Sequence, residues 1–221
     1  MDLTFFLEQI FNGLGYGFML FLLAAGLTLV FGIMDTLNLA HGSLFMVGGY
    51  VSATVHTQSG SFITAVLVAV LATVLLAMLL EALLVRRLYG RDHLSQVLAT
   101  FGIVLIADDL VKFVWGPSPI MAPTPTLLSG PVDLLGLPYP SYRLLILGAG
   151  LAVALGLYLL VNHSRLGMLV RAGASNRAMA EFMGVRVSKV FAIVFALGAA
   201  LAALAGALMG PISAVAIGMG E

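Results

Sequence analysis

The sequence of 221 residues contains no cysteine and few charged side chains. The absence of cysteine excludes disulfide bonds and thiolate metal sites. Only 9% of the residues are charged, whereas a soluble domain usually has about 25%. Hydrophobic residues make up 61% of the chain, and its mean hydropathy is +1.11. This composition predicts an all-α membrane protein whose helical bundle crosses the lipid bilayer several times.

Basic residues are absent from the first helix-forming stretch, and no sign of charge dominates the chain. The amino-terminal segment has Asp2 and Glu8 but no lysine or arginine. Because a cleavable signal peptide begins with basic residues, we expect the first helix to be retained. Ten basic residues balance ten acidic ones, which gives no reason to expect a nucleic-acid partner.

Long stretches without charge predict about six spanning helices in a single transmembrane domain over residues 1–221. Residues 36–80 have no charged side chain, yet one helix of that length would reach about 67 Å, roughly twice the bilayer core. The chain must therefore reverse, and the polar segment HTQSGS at 56–61 is the place for the turn. The predicted spans lie near 12–34, 39–55, 62–85, 94–114, 143–162 and 189–210.

The distribution of proline and of basic residues predicts the orientation. Residues 115–141 hold seven of the eight prolines, so we expect an external loop there. Eight of the ten basic residues fall on the opposite side: Arg86, Arg87, Arg91, Arg165, Arg171, Arg177, Arg186 and Lys189. The positive-inside rule makes that side cytoplasmic and places the amino terminus outside. Trp115, Tyr139 and Tyr142 are then expected at the outer membrane interface.

Small residues recur every four positions in three helices. Such rows allow close backbone approach between helices, so we expect them at packing contacts. The rows are Gly13 and Gly17; Gly148, Ala152 and Gly156; and Gly198, Ala202, Gly206 and Gly210.

A polar cytoplasmic segment at 163–188 contains a short predicted helix. Ser175 or Asn176 can cap its start, and Gly184 is suited to end it. Arg177 and Glu181 are four residues apart beside an apolar face formed by Met179, Phe182 and Met183. The face suits insertion into a groove of a partner protein, or contact with lipid headgroups.

The stretch NLAHGSLFMVGGY at 38–50 places polar residues and glycines between apolar segments. Asn38 is predicted to cap the second span where it begins at the cytoplasmic face. The glycines allow close approach or a bend, and His41 is either a structural residue bonded to a carbonyl or part of a transport pathway. The candidate pathway residues are Asn38, His41, Gly42, Ser43, Gly48, Gly49 and Tyr50.

Charges near the membrane are few. Asp35 is expected in solvent at the cytoplasmic edge, and Glu81 is expected to pair with the Arg86–Arg87 cluster or to extend toward the interface. Asp108 and Lys112 are four residues apart, which predicts an outer polar pair, either structural or at the mouth of a pathway. No carboxylate lies where a proton relay would need one, which argues against a proton-coupled carrier.

The segment GLTLVFGIMDTLNLAHGSLFMVGGYV at 26–51 closely resembles the signature of branched-chain amino acid ABC importer permeases of the H type. RAGASNRAMAEFMGV at 171–185 is similar to the cytoplasmic coupling motif of that family. The motif positions are Arg171, Ala172, Asn176, Ala180 and Gly184. Members of the family continue with further helices, so we expect that this chain, which stops at Glu221, lacks the carboxyl-terminal ones.

The resemblance implies a permease subunit in the bacterial inner membrane. It implies a second related permease, two ATPase subunits and a periplasmic amino-acid-binding protein as partners. It also implies that residues 171–184, with Met179, Glu181, Phe182 and Met183, couple the bundle to the ATPases. No G-x-x-x-x-G-K-[ST] motif occurs in the chain, so we expect ATP and magnesium on the partner subunits and no enzymatic or cofactor site here.

Other functions stay open at this stage. Related permeases move urea or short-chain amides, and a secondary carrier or channel is a further possibility. An intramembrane enzyme is disfavoured because no second histidine or carboxylate pair joins His41 and Ser43, which lie on different faces of a helix.

Overall fold

The computed structural model describes residues 3–34, 36–134 and 137–220. Asp2, Asp35 and Glu221, on which three of the expectations rest, lie outside these ranges. The long helices are α1 Leu3–Met34, α2 His41–Ser59, α3 Phe62–Leu80, α5 His93–Trp115, α6 Ser141–His163 and α9 Val187–Met209. A π-helical turn Glu81–Val85 continues α3 into α4 Arg86–Leu88. The segment that the sequence predicts to be cytoplasmic folds as α7 Arg165–Ser175 and α8 Arg177–Phe182.

The long helices lie where the sequence predicts helices, but they are not equally apolar. Within the described ranges, four are long and apolar enough to cross a membrane: Phe6–Met34, Phe62–Leu88, Ser141–His163 and Val187–Met209. The first helix begins at Leu3, well before the predicted start near residue 12. The predicted reversal at 56–61 is confirmed, because Gly60 ends α2 in the left-handed conformation with φ 67°.

The proline-rich loop contains no long helix, as predicted. After Gly116 it forms a short 3-10 turn, Thr126–Leu128, and then a hairpin of β1 Pro131–Leu134 and β2 Leu137–Pro140. The strands pair antiparallel, with Val132 opposite Tyr139.

Helix α9 occupies the centre of the bundle and packs against α1, α2 and α3. Its row of small residues makes this possible: a Cβ on Gly198 would lie 3.0 Å from the carbonyl oxygen of Gly26, and one on Gly206 would lie 2.1 Å from that of Phe45. The packing prediction is therefore correct for this row. Because the residues of this row have little or no side chain, the neighbouring helices approach α9 at backbone distance.

The packing prediction is wrong for the other two rows. A Cβ on Gly13, Gly17, Gly148 or Gly156 would meet no atom within 4 Å, and Ala152 is exposed. The close contact between α1 and α6 lies on a different face of α6 from this row, where a Cβ on Gly150 would be 2.5 Å from Phe18 Cγ. A four-residue spacing identifies a face that can pack, and the actual contact depends on the neighbouring helix.

Two tyrosines predicted at the membrane interface lie inside the protein. The Tyr142 hydroxyl donates a hydrogen bond of 2.8 Å to the carbonyl oxygen of Leu208, and the Tyr139 hydroxyl donates to Asn12 Oδ1 at 3.1 Å. Both rings are buried. A phenol favours the interface because its hydroxyl needs a polar partner, and here the protein provides that partner.

The residues after α9 do not form a helix and return along α2. Val215 makes an antiparallel bridge with Ile120 and is fully buried. The backbone of Gly220 lies against Gly42, where a Cβ would be 1.8 Å from the Gly220 carbonyl oxygen. Irregular backbone inside a helical membrane bundle has to be covered by protein or line a cavity; in this segment Val215 is buried, and Gly218 and Gly220 line cavities.

Candidate transport site

The start of α2 lies inside the helix bundle, beside residues well within α5. Thr100 Oγ1 accepts a hydrogen bond of 3.2 Å from the backbone N–H of Leu39, and Trp115 Nε1 donates one of 2.7 Å to Thr54 Oγ1. Both pairs are 61 residues apart, so α2 and α5 run parallel and in constant register. Thr100 is seven residues into α5, which is about 10 Å by helical rise. The loop before α2 therefore meets α5 well inside that helix and not at its first turn, and the position of this start relative to the membrane face stays a prediction.

Side chains from α5 satisfy the backbone of the loop that precedes α2. Gln96 Oε1 accepts from the N–H of Leu37 at 3.0 Å, beside the Thr100 contact with Leu39. Gln96 and Thr100 are both buried. Neither residue is among the predicted site residues, although two polar side chains four positions apart in an apolar helix are a usable signal. They allow non-helical backbone to enter the membrane, where water cannot satisfy it.

Asn38 is not the cap of α2. Ala40 occupies the N-cap position and has no side-chain hydrogen bond, and the helix begins at His41. Asn38 Oδ1 instead accepts from the N–H of Ala40 at 3.2 Å. This local bond closes a turn before the helix, which leaves the amide nitrogen of Asn38 for another role.

A cavity of about 650 Å³ opens between α1, α5 and the start of α2. Most of its wall is apolar, and Thr28, Asn38 and His41 also line it. Asn38 Nδ2 and His41 Nε2 are buried and have no hydrogen-bond partner among the described residues. A largely apolar cavity with a few convergent polar groups is the usual form of a small-molecule site. The apolar lining residues are Leu23, Leu27, Phe31, Leu37, Leu39, Val97, Phe101 and Val104.

His41 joins the cavity to the centre of the bundle. Its ring lies against α1, where a Cβ on Gly26 would be 2.9 Å from His41 Nε2 and 2.8 Å from the carbonyl oxygen of Gly198. Glycine is required at position 26 because any side chain would displace the imidazole or α9. The ring therefore has a fixed position beside the cavity.

The other candidate pathway residues divide into two groups. Gly42 and Ser43 line a smaller pocket beside the cavity. Gly48 and Gly49 lie at helix contacts, because a Cβ on Gly48 would be 2.5 Å from Ala203 Cα and one on Gly49 would be 3.3 Å from the Gly206 carbonyl oxygen. Tyr50 is fully buried, with its ring 5.4 Å from that of Trp115. The polar stretch thus supplies both a cavity wall and a packing surface.

The predicted pair between Asp108 and Lys112 does not form. Lys112 Nζ lies 3.2 Å from Asp109 Oδ1, and both side chains are exposed. A lysine on a helix can reach a carboxylate three or four residues earlier, and Asp109 is the one on the same outer face. Asp108 points toward α2 and lines the smaller pocket with Ser43.

The predicted pairing of Glu81 with the basic cluster is confirmed. The carboxylate is only 2% exposed, lies 2.8 Å from Arg86 Nη2, and accepts a bond of 2.9 Å from the Tyr89 hydroxyl. Burial with two donors satisfies the charge. The π-helical turn that begins at Glu81 brings the arginine, five residues later, into reach.

Helix α8 has the structure that the sequence predicts. Asn176 Oδ1 accepts from the N–H of Met179 at 2.9 Å, Arg177 Nε lies 3.2 Å from Glu181 Oε1, and Gly184 has φ 83°. Arg171 and Ala172 lie on α7, where Arg171 Nη1 donates to the carbonyl oxygen of Val161. Ala180 is buried. The apolar face of α8 is open to solvent: Phe182 is 87% exposed, Met183 is 80% exposed and Met179 is 59% exposed.

Taken together, these features define a polytopic helical membrane protein with an apolar cavity between its helices. The chain belongs to the family described as branched-chain amino acid transport system / permease component, whose model matches residues 9–220. That assignment agrees with the resemblance carried by residues 26–51 and 171–185.

Curated relatives cover most of the chain. It is 27% identical to the high-affinity branched-chain amino acid transport system permease protein LivH of Salmonella typhimurium, over 93% of this chain and 71% of the relative. It is 28% identical to the permease protein BraD of Pseudomonas aeruginosa, over 95% and 72%. It is 27% identical to a probable LivH of Methanocaldococcus jannaschii, over 88% and 63%. No solved structure matches the chain.

Proposed function

We propose that this chain is the permease subunit of an ABC importer that moves branched-chain amino acids across the bacterial inner membrane. The observation that carries the proposal is the cavity of about 650 Å³ with Asn38 and His41 in its wall. Its lining of leucine, valine and phenylalanine suits an aliphatic side chain, since apolar surface is stabilised on leaving water. The family and the printed names of the relatives support the same substrate class.

The same lining argues against urea or short amides as the cargo. Such molecules need several hydrogen-bond partners when they leave water, and the wall offers three polar side chains, Thr28, Asn38 and His41. A secondary carrier is also disfavoured, because it does not need a cytoplasmic helix with an exposed apolar face such as α8.

In this proposal the chain crosses the membrane six times with its amino terminus outside. Helices α2 and α5 complete the six, although they are the less apolar ones. The polar residues of α2 do not need to meet lipid, since Ser43, Ser52 and His56 are buried. The basic clusters Arg86–Arg91 and Arg165–Lys189 then lie together on the cytoplasmic side.

Energy comes from ATP hydrolysis on two partner ATPases, with a second related permease and a periplasmic binding protein completing the assembly. The apolar knob of α8, formed by Met179, Phe182 and Met183, inserts into a groove on an ATPase. Its exposure supports this role, because three large apolar side chains in water stabilise a contact with a partner. Contact with lipid headgroups is the competing explanation.

Filling the cavity tests the proposal. The purified complex is reconstituted in liposomes, and ATP-dependent uptake of labelled leucine is measured. Val97→Trp occupies the cavity and should reduce uptake by about tenfold or more. Val114→Trp is the matched control on the same helix, because Val114 is exposed and does not line the cavity. Equal uptake by both variants would rule out this cavity, and the absence of leucine uptake by the wild-type complex would reject the substrate class.

A further inference from the structure

A second, smaller pocket adjoins the large cavity. It has a volume of about 10 Å³, which is room for one group the size of a water molecule. Asp108 and Ser43 supply its polar wall, and Met46 and Gly218 complete it. The two spaces are neighbours that share a wall of four residues: Leu39, Gly42, Val104 and Gly220.

Asp108 has no ion-pair partner within the ranges that the structure describes, since the lysine next to it pairs with Asp109. It is partly buried and lies seven residues before Trp115 in α5, about 10 Å from the outer end of that helix. A carboxylate inside a spanning helix is costly and commonly marks a binding function. Ser43, which is 8% exposed, places a hydroxyl beside it.

We propose that Asp108, assisted by Ser43, binds the ammonium group of the amino acid while the aliphatic side chain occupies the large cavity. An ammonium group is close to water in size and has three donors, for which a carboxylate and a hydroxyl are suitable acceptors. Moving this charge out of water is costly unless an opposite charge receives it. The inference rests on the proposed function for the substrate class alone.

The adjacency of the two spaces suits the connectivity of the substrate. In an α-amino acid, one carbon carries both the ammonium group and the side chain, so their two binding spaces have to be neighbours. Gly42 forms part of the shared wall, and a Cβ there would collide with the Gly220 backbone. The irregular segment 211–220 therefore closes the small pocket from the side opposite α5.

A comparison of two ligands with matched variants tests the assignment. Leucine and 4-methylpentanoate share the side chain and the carboxylate, and only leucine has the ammonium group. Each is competed against labelled leucine on the purified complex without binding protein. The wild-type complex should favour leucine by about ten- to a hundredfold, as expected for a charge-assisted hydrogen bond. Asp108→Asn should remove this preference by weakening leucine alone.

Asp109→Asn is the control, because Asp109 is exposed on the neighbouring position and should leave both affinities unchanged. If Asp108→Asn does not assemble, Ser43→Ala provides the second measurement and should weaken the affinity for leucine alone by about three- to tenfold.

An equal loss of affinity for both ligands would show a structural role and overturn the proposal, as would unchanged leucine affinity. If the wild-type complex binds leucine and 4-methylpentanoate equally well, and only in the presence of sodium, the pocket would be assigned to an alkali cation. Normal leucine uptake by Asp108→Asn would refute this inference and leave the proposed function standing.

Discussion

Single buried residues divide into those that hold the fold and those that remain available to a ligand. Gln96 and Thr100 accept from loop N–H groups, and Glu81 is held by Arg86 and Tyr89. These bonds satisfy polar atoms where water is excluded. Five buried side-chain atoms in the described ranges have no partner, on Asn38, His41, Tyr50, His56 and Thr73. Two of those residues, Asn38 and His41, line the large cavity.

Gly48 lies where α2 and α9 are in close contact. Gly48→Leu places a side chain where even a Cβ would lie 2.5 Å from Ala203 Cα. Backbone cannot yield as a flexible side chain does, so we expect the two helices to separate and uptake of leucine to be lost. The thermal midpoint of the purified complex, monitored by size-exclusion chromatography after heating, should fall together with uptake.

The control is Gly13→Leu, which adds the same side chain on α1 where a Cβ meets no atom within 4 Å. It should retain both stability and uptake. Wild-type behaviour of Gly48→Leu would contradict the central position of this contact.

At the scale of elements, local signals were predictable and remote ones were not. Helix α8 was predicted with its cap at Asn176 and its end at Gly184, because both act within a few residues. The bonding of the loop before α2 was not predicted, since this loop is satisfied by Gln96 and Thr100 from a helix about 60 residues further on. Asp108 was assigned the wrong partner for a related reason. Helical spacing offered Lys112 two carboxylates, and the orientation of α5 against α2 decided between them.

The exposed knob of α8 yields a prediction about assembly. Phe182→Asp puts a charge on the side chain that is 87% exposed, which should cost no folding energy but oppose burial in an ATPase groove. We expect the ATPase subunits to be lost when this chain is purified from detergent-solubilised membranes. Quantitative gel densitometry of the copurified ATPase provides the measurement.

Phe182→Leu keeps an apolar side chain at the same place and should preserve the complex. Retention of the ATPases by Phe182→Asp would instead favour contact of α8 with lipid. Transport that survives deletion of residues 173–184 would exclude the coupling role.

At the scale of the whole molecule, the bundle is arranged around α9, and small residues determine how tightly it closes. Two rows of small residues, on α1 and α6, face away from the rest of the described chain. The cavity lies on one side of this arrangement, between α1 and the parallel pair α2 and α5. The sequence predicted the helices and pointed to the polar stretch at 38–50 as a candidate pathway, but the cavity itself depends on how three helices meet.

The absence of cysteine in the chain makes its orientation directly measurable. Single cysteines at Ser129 in the external loop and Ser175 at the end of α7 are both exposed. In right-side-out membranes, a membrane-impermeant maleimide should label Ser129→Cys at once and Ser175→Cys only after permeabilisation. Leu155→Cys, on the exposed face of α6, is the control and should stay unlabelled within lipid. The reverse pattern at 129 and 175 would place the amino terminus inside.

Two hydrogen bonds, one from the loop just before α2 and one near its end, join this part of the chain to α5 and have a mechanical consequence. Sliding one helix by a single turn, about 5.4 Å, would break the bonds at Leu39 and Thr54 together. We therefore expect the two helices to move together, so that widening of the cavity requires a displacement of α1. Since a Cβ on Gly26 would lie 2.8 Å from the carbonyl oxygen of Gly198, we expect this backbone contact with α9 to limit how far α1 can be displaced.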